Sequence, residues 1–157
     1  MKPVLRPASE DDFEFAFEAK RDALGPHVAA KWGWNEELQR QTHRVRWDEK
    51  PWQVILLGAE SIGTVSIHWQ QTHLQFGEFY LLSAYRGRGT GSSLLKEVLS
   101  EADRRGVETR LEWLKWNPVG SLYLRHGFRV TSENEIHFYA CRRPHVAQQL
   151  HAAIGSR

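Results

Sequence analysis

The chain has little cysteine, one residue (Cys141) in 157. A single cysteine excludes an intramolecular disulfide framework and fits a reducing compartment. No apolar run is long enough to cross a membrane, so no membrane partner is expected. The N-terminus is charged and polar without a signal-peptide pattern, which makes cytoplasm the expected location. Neither sign of charge dominates. Lys and Arg number 21 against 19 Asp and Glu, a formal net charge of +2, and the basic residues are spread along the chain. Nucleic acid is therefore not an expected partner. The eight histidines are scattered without a metal-ligand spacing, so no metal is expected. A Gly-x-Ser-x-Gly nucleophile elbow is missing. There is no repeat, low-complexity stretch or linker. Residues 1–157 read as one domain with a core over 3–142, and 143–157 as a C-terminal helix or tail.

What is present centres on Glu78-Phe79-Tyr80-Leu81-Leu82-Ser83-Ala84-Tyr85-Arg86-Gly87-Arg88-Gly89-Thr90-Gly91-Ser92. Phe79 to Leu82 read as a strand. Leu94, Leu95, Val98, Leu99 and Ala102 fall on one helical stripe, and Gly106 marks its end. Three alternating glycines join the two, where backbone must bend or approach a ligand. The first amides of a helix lack internal partners and carry partial positive charge. With Arg86 and Arg88 beside them they form an anion site. No Lys follows the last glycine as a mononucleotide P-loop requires, and Ser92 stands where the dinucleotide fingerprint needs its third glycine. Two readings stay open: a glycine-rich turn with solvated arginines, or a turn that holds a diphosphate with the rest of a cofactor along the preceding strand.

The other elements come in order. Val4-Leu5-Arg6 reads as a strand. Ser9, with Asp12 three residues on, starts a helix that Gly25-Pro26 ends. Asn35 caps a second helix running to about Trp47. Trp32-Gly33-Trp34 lies between the helices, either as core filling or as an aromatic wall of a substrate pocket. Strands over Trp52–Ala59, Ile62–Gln70 and His73–Leu82 form an antiparallel meander. After the glycine helix, Val107–Trp116 returns parallel, because the helix provides a crossover. A short helix over Ser121–Arg125 and strands over Arg129–Ser132 and Ile136–Arg142 close the sheet. The fold class is α/β (α+β), a mixed twisted sheet of about seven strands flanked by helices.

Strand, Arg86-Gly87-Arg88-Gly89-Thr90-Gly91, helix, strand, then Asn117-Pro118-x-x-x-Leu122-Tyr123-x-x-x-Gly127-Phe128 resembles the GNAT N-acetyltransferase superfamily over nearly the whole chain. Leu5-Arg6-Pro7-Ala8-x-x-x-Asp12 is similar to the usual start of that family. Trp32-Gly33-Trp34 and Glu135-Ile136-His137-Phe138-Tyr139 are similar to one bacterial branch. The resemblance implies acetyl-CoA as co-substrate. Backbone groups of Phe79, Tyr80 and Leu81 would pair with its pantetheine arm, and amides of Gly87, Arg88, Gly89, Thr90, Gly91 and Ser92, with Arg86 alongside, would hold its pyrophosphate. Asn117 would contact the cofactor and Tyr123 would lie near its sulfur. Trp32 and Trp34 would wall the acceptor side. Ser83 departs from a frequent proline, and Asn117 and Tyr123 stand six apart where seven is also common.

Attack of an amine on a thioester needs a neutral amine, a stabilised oxyanion and a proton for the thiolate. An alkyl ammonium has a pKa of about 10, so a base must act, directly or through water. Glu78, just before the turn, is the base candidate, or else an ordinary strand carboxylate. A strand amide near Leu81 is placed to meet the oxyanion. Tyr123 is the proton donor for a thiolate of pKa about 8.5, which calls for some lowering of its own value of about 10. Arg142 and Arg143 are expected to depress the Cys141 pKa. With no partner for Cys141, direct transfer in a ternary complex is expected. The acceptor is a small-molecule or peptide amine, and edge strands near the C-terminus offer a surface for a homodimer. The other function compatible with these residues is a non-catalytic acyl-CoA-binding sensor or interaction module.

Overall fold

The computed structural model describes residues 1–145. Of the C-terminal helix or tail expected over 143–157, residues 146–157 lie outside the described residues. In chain order the elements are β1 (Val4–Pro7), α1 (Phe13–Trp32), α2 (Glu36–Glu49), β2 (Gln53–Leu57), β3 (Glu60–Trp69), β4 (His73–Leu81), α3 (Thr90–Arg105), β5 (Glu108–Leu114), α4 (Gly120–Arg125), β6 (Arg129–Glu133) and β7 (His137–Arg142). The strands hydrogen-bond into one seven-stranded sheet in the order β1-β2-β3-β4-β5-β7-β6. The mixed α+β architecture expected from the sequence is therefore present. By contact the chain divides into two compact units. The first is Met1–His68 with Phe76–Ser93; the second is Trp69–Gln75 with the residues from Leu94 onward.

In the first unit, β1, β2 and β3 pair antiparallel, with Leu5 opposite Ile55 and Val54 opposite Thr64. Ile62, Thr64, Val65 and Ser66 are all buried, so both faces of β3 are covered over this stretch. α1 buries Phe13, Ala16, Phe17, Lys20, Leu24 and Val28. A compact ring cluster joins α1, α2 and Trp52, the residue just before β2. His43 is fully buried, with ring centroids 4.5 Å from Phe13, 5.4 Å from Phe17 and 5.3 Å from Trp52. Trp47 packs 5.1 Å from Trp52.

The largest departure from the sequence reading is at the end of α1, beside shifts of a few residues at other boundaries. A short 3-10 turn over Glu10–Asp12 precedes α1, and Ser9 and Asp12 do form the capping box. α1 then runs through Gly25-Pro26 to Trp32. A proline inside a helix removes one bond and crowds one carbonyl. Here Leu24 and Val28 stay on the buried stripe on either side of it, and the good helix formers Ala29 and Ala30 come next. The helix stops at Gly33, whose φ of 79° few other residues adopt and whose N–H reaches the carbonyl of Ala29 at 3.0 Å. Asn35 caps α2 as expected, accepting from the Leu38 N–H at 3.1 Å.

In the second unit, the first three residues of β4 pair in parallel with β5, His73 with Glu108 through Gln75 with Arg110. β7 lies between β5 and β6, antiparallel to both. The stripe Leu94, Leu95, Val98, Leu99 and Ala102 of α3 is buried. Arg142 of β7 is tied to Asp103 of α3 by two bonds of 3.0 and 3.2 Å. Asp103 also accepts from the backbone N–H of His145 at 2.9 Å. An arginine at a strand end is thereby held within the packed layer by its two terminal nitrogens against a carboxylate, while its buried Nε makes no hydrogen bond among the described residues.

Candidate functional site

The residues singled out from the sequence fall in both units. Trp32, Trp34, Glu78, Phe79, Tyr80, Leu81 and the turn Arg86–Ser92 belong to the first; Asn117 and Tyr123 belong to the second.

The turn has the conformation its glycines permit. Gly87 and Gly89 have φ of 74° and 81°, values that carry steric strain for residues with a Cβ. α3 begins at Thr90, and the first N–H bond into the helix is Ser93 to the Gly89 carbonyl at 2.9 Å. The amides before it lie at the positive end of a helix of 16 residues. The two arginines differ. Arg86 donates to the Leu81 carbonyl at 2.8 Å and lies 3.6 Å from Asp22, whose carboxylate also accepts from the Ser83 N–H at 2.7 Å. It braces the strand end against α1. Arg88 lies over the Tyr85 ring, 5.9 Å from its centroid. One lone pair of the Leu81 carbonyl is thus already used within the protein.

Just before the turn, β4 kinks. Glu78 has φ of 46°, the one non-glycine residue at positive φ among the described residues. Such a residue breaks the extended run of a strand and re-aims the residues after it. Thr64 Oγ1 donates to the Glu78 carbonyl at 3.2 Å. The Glu78 side chain is 5% exposed, and its carboxylate is surrounded by donors. Tyr80 OH donates to one oxygen at 2.9 Å. Lys50 Nζ and Arg46 Nη1 share the other at 3.5 and 3.8 Å. Burial alone would raise the Glu78 pKa. The charges of Lys20, Lys50 and Arg46, with the Tyr80 hydroxyl, outweigh it and hold the carboxyl below its ordinary range. Lys20, on α1, is itself buried, and burial lowers its pKa against the pull of Glu78.

The tryptophans part ways. Trp34 donates to Glu36 at 2.7 Å and tilts toward Phe17 at 6.3 Å, so it staples the start of α2 to the aromatic core. Trp32, the last residue of α1, is 53% exposed.

In the second unit, Asn117 Oδ1 accepts from the Val119 N–H at 3.1 Å, an Asx turn that starts α4. Tyr123 lies in α4 with its ring 5.5 Å from Trp113 and 5.7 Å from Phe128. Burial pushes its phenol above the ordinary range, opposite to the lowering expected for a proton donor. Cys141 also departs from expectation. Burial and the hydrogen bond to Glu108 at 2.7 Å push its pKa up to about 11. The neighbouring carboxylate outweighs Arg110 and Arg143, so the expected depression by basic neighbours is corrected. His126, the residue that ends α4, has its Nδ1 2.7 Å from the Leu122 carbonyl.

Residues 10–128 match the Acetyltransferase (GNAT) family. The chain belongs to the GNAT family of acetyltransferases. Among curated proteins it is 28% identical to the mycothiol acetyltransferase of Corynebacterium aurimucosum, over 69% of this chain and 45% of that protein. A 49-residue stretch is 43% identical to a probable serine/threonine-protein kinase of Dictyostelium discoideum, 31% of this chain and 6% of that one. The chain thus spans less than half the length of either curated relative. In fold it is similar to the PaiA N-acetyltransferase of Thermoplasma acidophilum, solved in complex with coenzyme A. The TM-score is 0.71 and the identity 21%, over 91% of this chain and 99% of that one. It is also similar to the ribosomal-protein-S18-alanine N-acetyltransferase of Escherichia coli. There the TM-score is 0.66 and the identity 15%, over 90% and 93% of the two chains.

In this GNAT chain the residues that sequence reasoning missed are Lys20, Arg46, Lys50 and the Tyr80 hydroxyl. One signal was available. Phe13, Phe17, Lys20, Leu24 and Val28 recur at helical spacing, and a lysine on an apolar stripe needs a buried counter-charge. Arg46 and Lys50 carry no such signal, because only the tertiary fold brings the end of α2 to β4.

Proposed function

We propose that the chain is an acetyl-CoA-dependent N-acetyltransferase that moves the acetyl group to a primary amine by direct attack in a ternary complex. The observation that carries this reading is the Arg86–Ser92 turn, with two glycines at positive φ delivering the chain into the N-terminus of α3, in a member of the GNAT family. Amides of Gly87 to Ser92 receive the pyrophosphate. The parallel ladder to β5 uses His73–Gln75, which leaves the backbone of Phe79 and Tyr80 outside it for the pantetheine arm. Leu81 contributes its N–H more readily than its carbonyl, which Arg86 engages. The same N–H is the donor candidate for the oxyanion. Asn117, with its oxygen committed to the Asx turn, offers its NH2 group to the cofactor.

Tyr123 supplies the proton to the departing thiolate. Its raised pKa keeps the hydroxyl protonated at every working pH, so the proton for the departing thiolate is always present. Glu78 takes part through water. Complete transfer from an ammonium of pKa about 10 to a carboxylate held below its ordinary value would be uphill by at least about 8 kcal/mol. Its share is therefore to orient the water that carries the proton away. Cys141, a thiol at about 11, offers little thiolate at neutral pH, which supports direct attack over an acyl-cysteine route. Trp32, exposed at the end of α1, is the aromatic that faces an acceptor, while Trp34 packs toward the core at Phe17.

The second reading, a non-catalytic acyl-CoA binder, is favoured by the same two protonation states, a phenol made less acidic and a carboxylate made less basic. Steady release of free thiol from acetyl-CoA across an amine panel decides between the readings. The cofactor site is tested separately. Acetyl-CoA should raise the melting temperature of the protein. Gly89→Asp, which adds a negative charge and a Cβ at φ 81°, should abolish that rise. Wild-type affinity in a folded Gly89→Asp protein would remove the turn from the cofactor site.

A further inference from the structure

Around Glu78 the charges do not balance. Lys50 and Arg46 share one carboxylate oxygen. Lys20, 6% exposed, interacts electrostatically with the same carboxylate, and its ammonium makes no hydrogen bond among the described residues. Three cations thus surround one anion. The contacts from Lys50 and Arg46, at 3.5 and 3.8 Å, are long beside the roughly 2.7–2.9 Å of a tight charge-assisted bond. Neither cation is locked, and both reach solvent, Arg46 at 42% and Lys50 at 27% exposure.

The surplus is local. Elsewhere in the first unit the arginines of α1 and α2 are matched. Arg21 meets Glu36 at 2.6 Å and Arg40 meets Glu14 at 2.5 Å. Arg44 takes both Glu10 and Asp48. A surplus of positive charge at a partly buried place is costly unless a ligand's charge completes it. The place adjoins Phe79, the first residue of the strand segment assigned to the acyl arm.

We propose that the acceptor of this enzyme carries a carboxylate close to its amine, an amino acid or a peptide bearing an acid group, and that Arg46 and Lys50 receive that carboxylate. The inference rests on the reading of the chain as an N-acetyltransferase. A guanidinium matches a carboxylate with two parallel bonds, and an ammonium adds a movable donor. The same cations disfavour a bare ammonium near them. An amine whose own carboxylate has been drawn to Arg46 therefore enters a field that promotes loss of its proton, the neutral form that attack requires. Lys20 is the fixed buried cation that keeps Glu78 from neutralising both outer ones.

The test uses the purified full chain with acetyl-CoA and matched pairs of acceptors, each amino acid or acidic peptide against its amide. The expected result is a KM at least about tenfold lower for the acid than for its amide. In Arg46→Gln and in Lys50→Gln the ratio should fall several-fold. The two variants should keep the wild-type rise in melting temperature with acetyl-CoA, which shows that they fold. Calorimetric titration of the coenzyme A-loaded protein with the same pairs gives a readout independent of turnover. Equal handling of acid and amide in both turnover and titration, or a ratio unchanged in both variants, overturns the inference while leaving the acetyltransferase reading intact. Failure of acetyl-CoA to shift the melting temperature, with no thiol release from any pair, overturns that reading and the inference with it.

Discussion

Glu78 in the first unit has its carboxylate against Tyr80, Lys50 and Arg46, whereas Tyr123 in the second lies against the rings of Trp113 and Phe128. Both side chains are buried, and burial by itself disfavours the charged form of each. At Glu78 a surplus of cations reverses that effect and the group stays ionised. At Tyr123 burial prevails and the phenol stays neutral. Burial alone therefore does not tell which protonation state a candidate catalytic group holds. The polar neighbours decide, and here they leave one group as a fixed anion and the other as a fixed donor.

The comparison breaks first at Tyr123→Phe. The ring and its contacts with Trp113 and Phe128 remain, so stability should change by less than about 1.5 kcal/mol, the range of one hydroxyl interaction. Turnover with the true acceptor should fall by about two to four orders of magnitude. The loss should shrink with an acyl donor whose thiol is more acidic, because that thiolate needs less help to leave. A variant that turns over at the wild-type rate would show that the proton comes from water and that Tyr123 is packing alone.

Glu78→Gln should act on the other measurable, stability. It removes the anion and leaves Lys20 buried with Lys50 and Arg46 nearby, and breaking a buried pair on one side costs about 3 kcal/mol or more. Urea unfolding at pH 7 measures it. The sign with pH comes from the direction of the shift. The folded-state pKa of Glu78 lies below the ordinary value of 4.5, so its contribution is present above pH 4.5 and is lost as pH falls through the folded value. The gap between wild type and Glu78→Gln should narrow in that acid range. A gap below about 1 kcal/mol at pH 7 would mean that the cations are compensated elsewhere and would undo the charge count on which the acceptor inference stands.

How far the sequence reaches differs between these two places. The Gly87 and Gly89 turn and the buried stripe of α3 are legible because each depends on neighbours within a few residues. So are Asn35 as a cap and Tyr123 within its Asn117-to-Phe128 segment. The Glu78 nest is not, since its members come from α1, the end of α2 and β4, and only the fold brings Lys20, Arg46 and Lys50 to one carboxylate. The passage of α1 through Pro26 is hidden for a related reason: Leu24 and Val28 hold the helix on its buried face, and local propensity is overridden by packing. The thiol of Cys141 misleads because Arg142 and Arg143 adjoin it in sequence, whereas Glu108 bonds it in space.

The smallest expected effect is the most discriminating for the nest. Lys20→Met keeps the length and apolar stem of the side chain and removes its charge. The substitution removes the desolvation cost of a buried ammonium and leaves no charge uncompensated, because Glu78 retains Lys50, Arg46 and Tyr80. Stability at pH 7 should therefore change by less than about 1.5 kcal/mol, far less than in Glu78→Gln, although Lys20 is the more deeply placed of the cations. The pH dependence separates the variants further. Burial holds the folded-state pKa of Lys20 below the ordinary value of 10.5. Between that folded value and 10.5 the unfolded chain binds the proton that the folded protein does not, so stability rises with pH there. Wild type should gain stability relative to Lys20→Met as pH climbs through this window, read as the difference between their urea midpoints. A flat difference up to pH 10.5 would show that Lys20 keeps its ordinary pKa. The attraction of Glu78 would then offset the whole cost of burying the Lys20 cation.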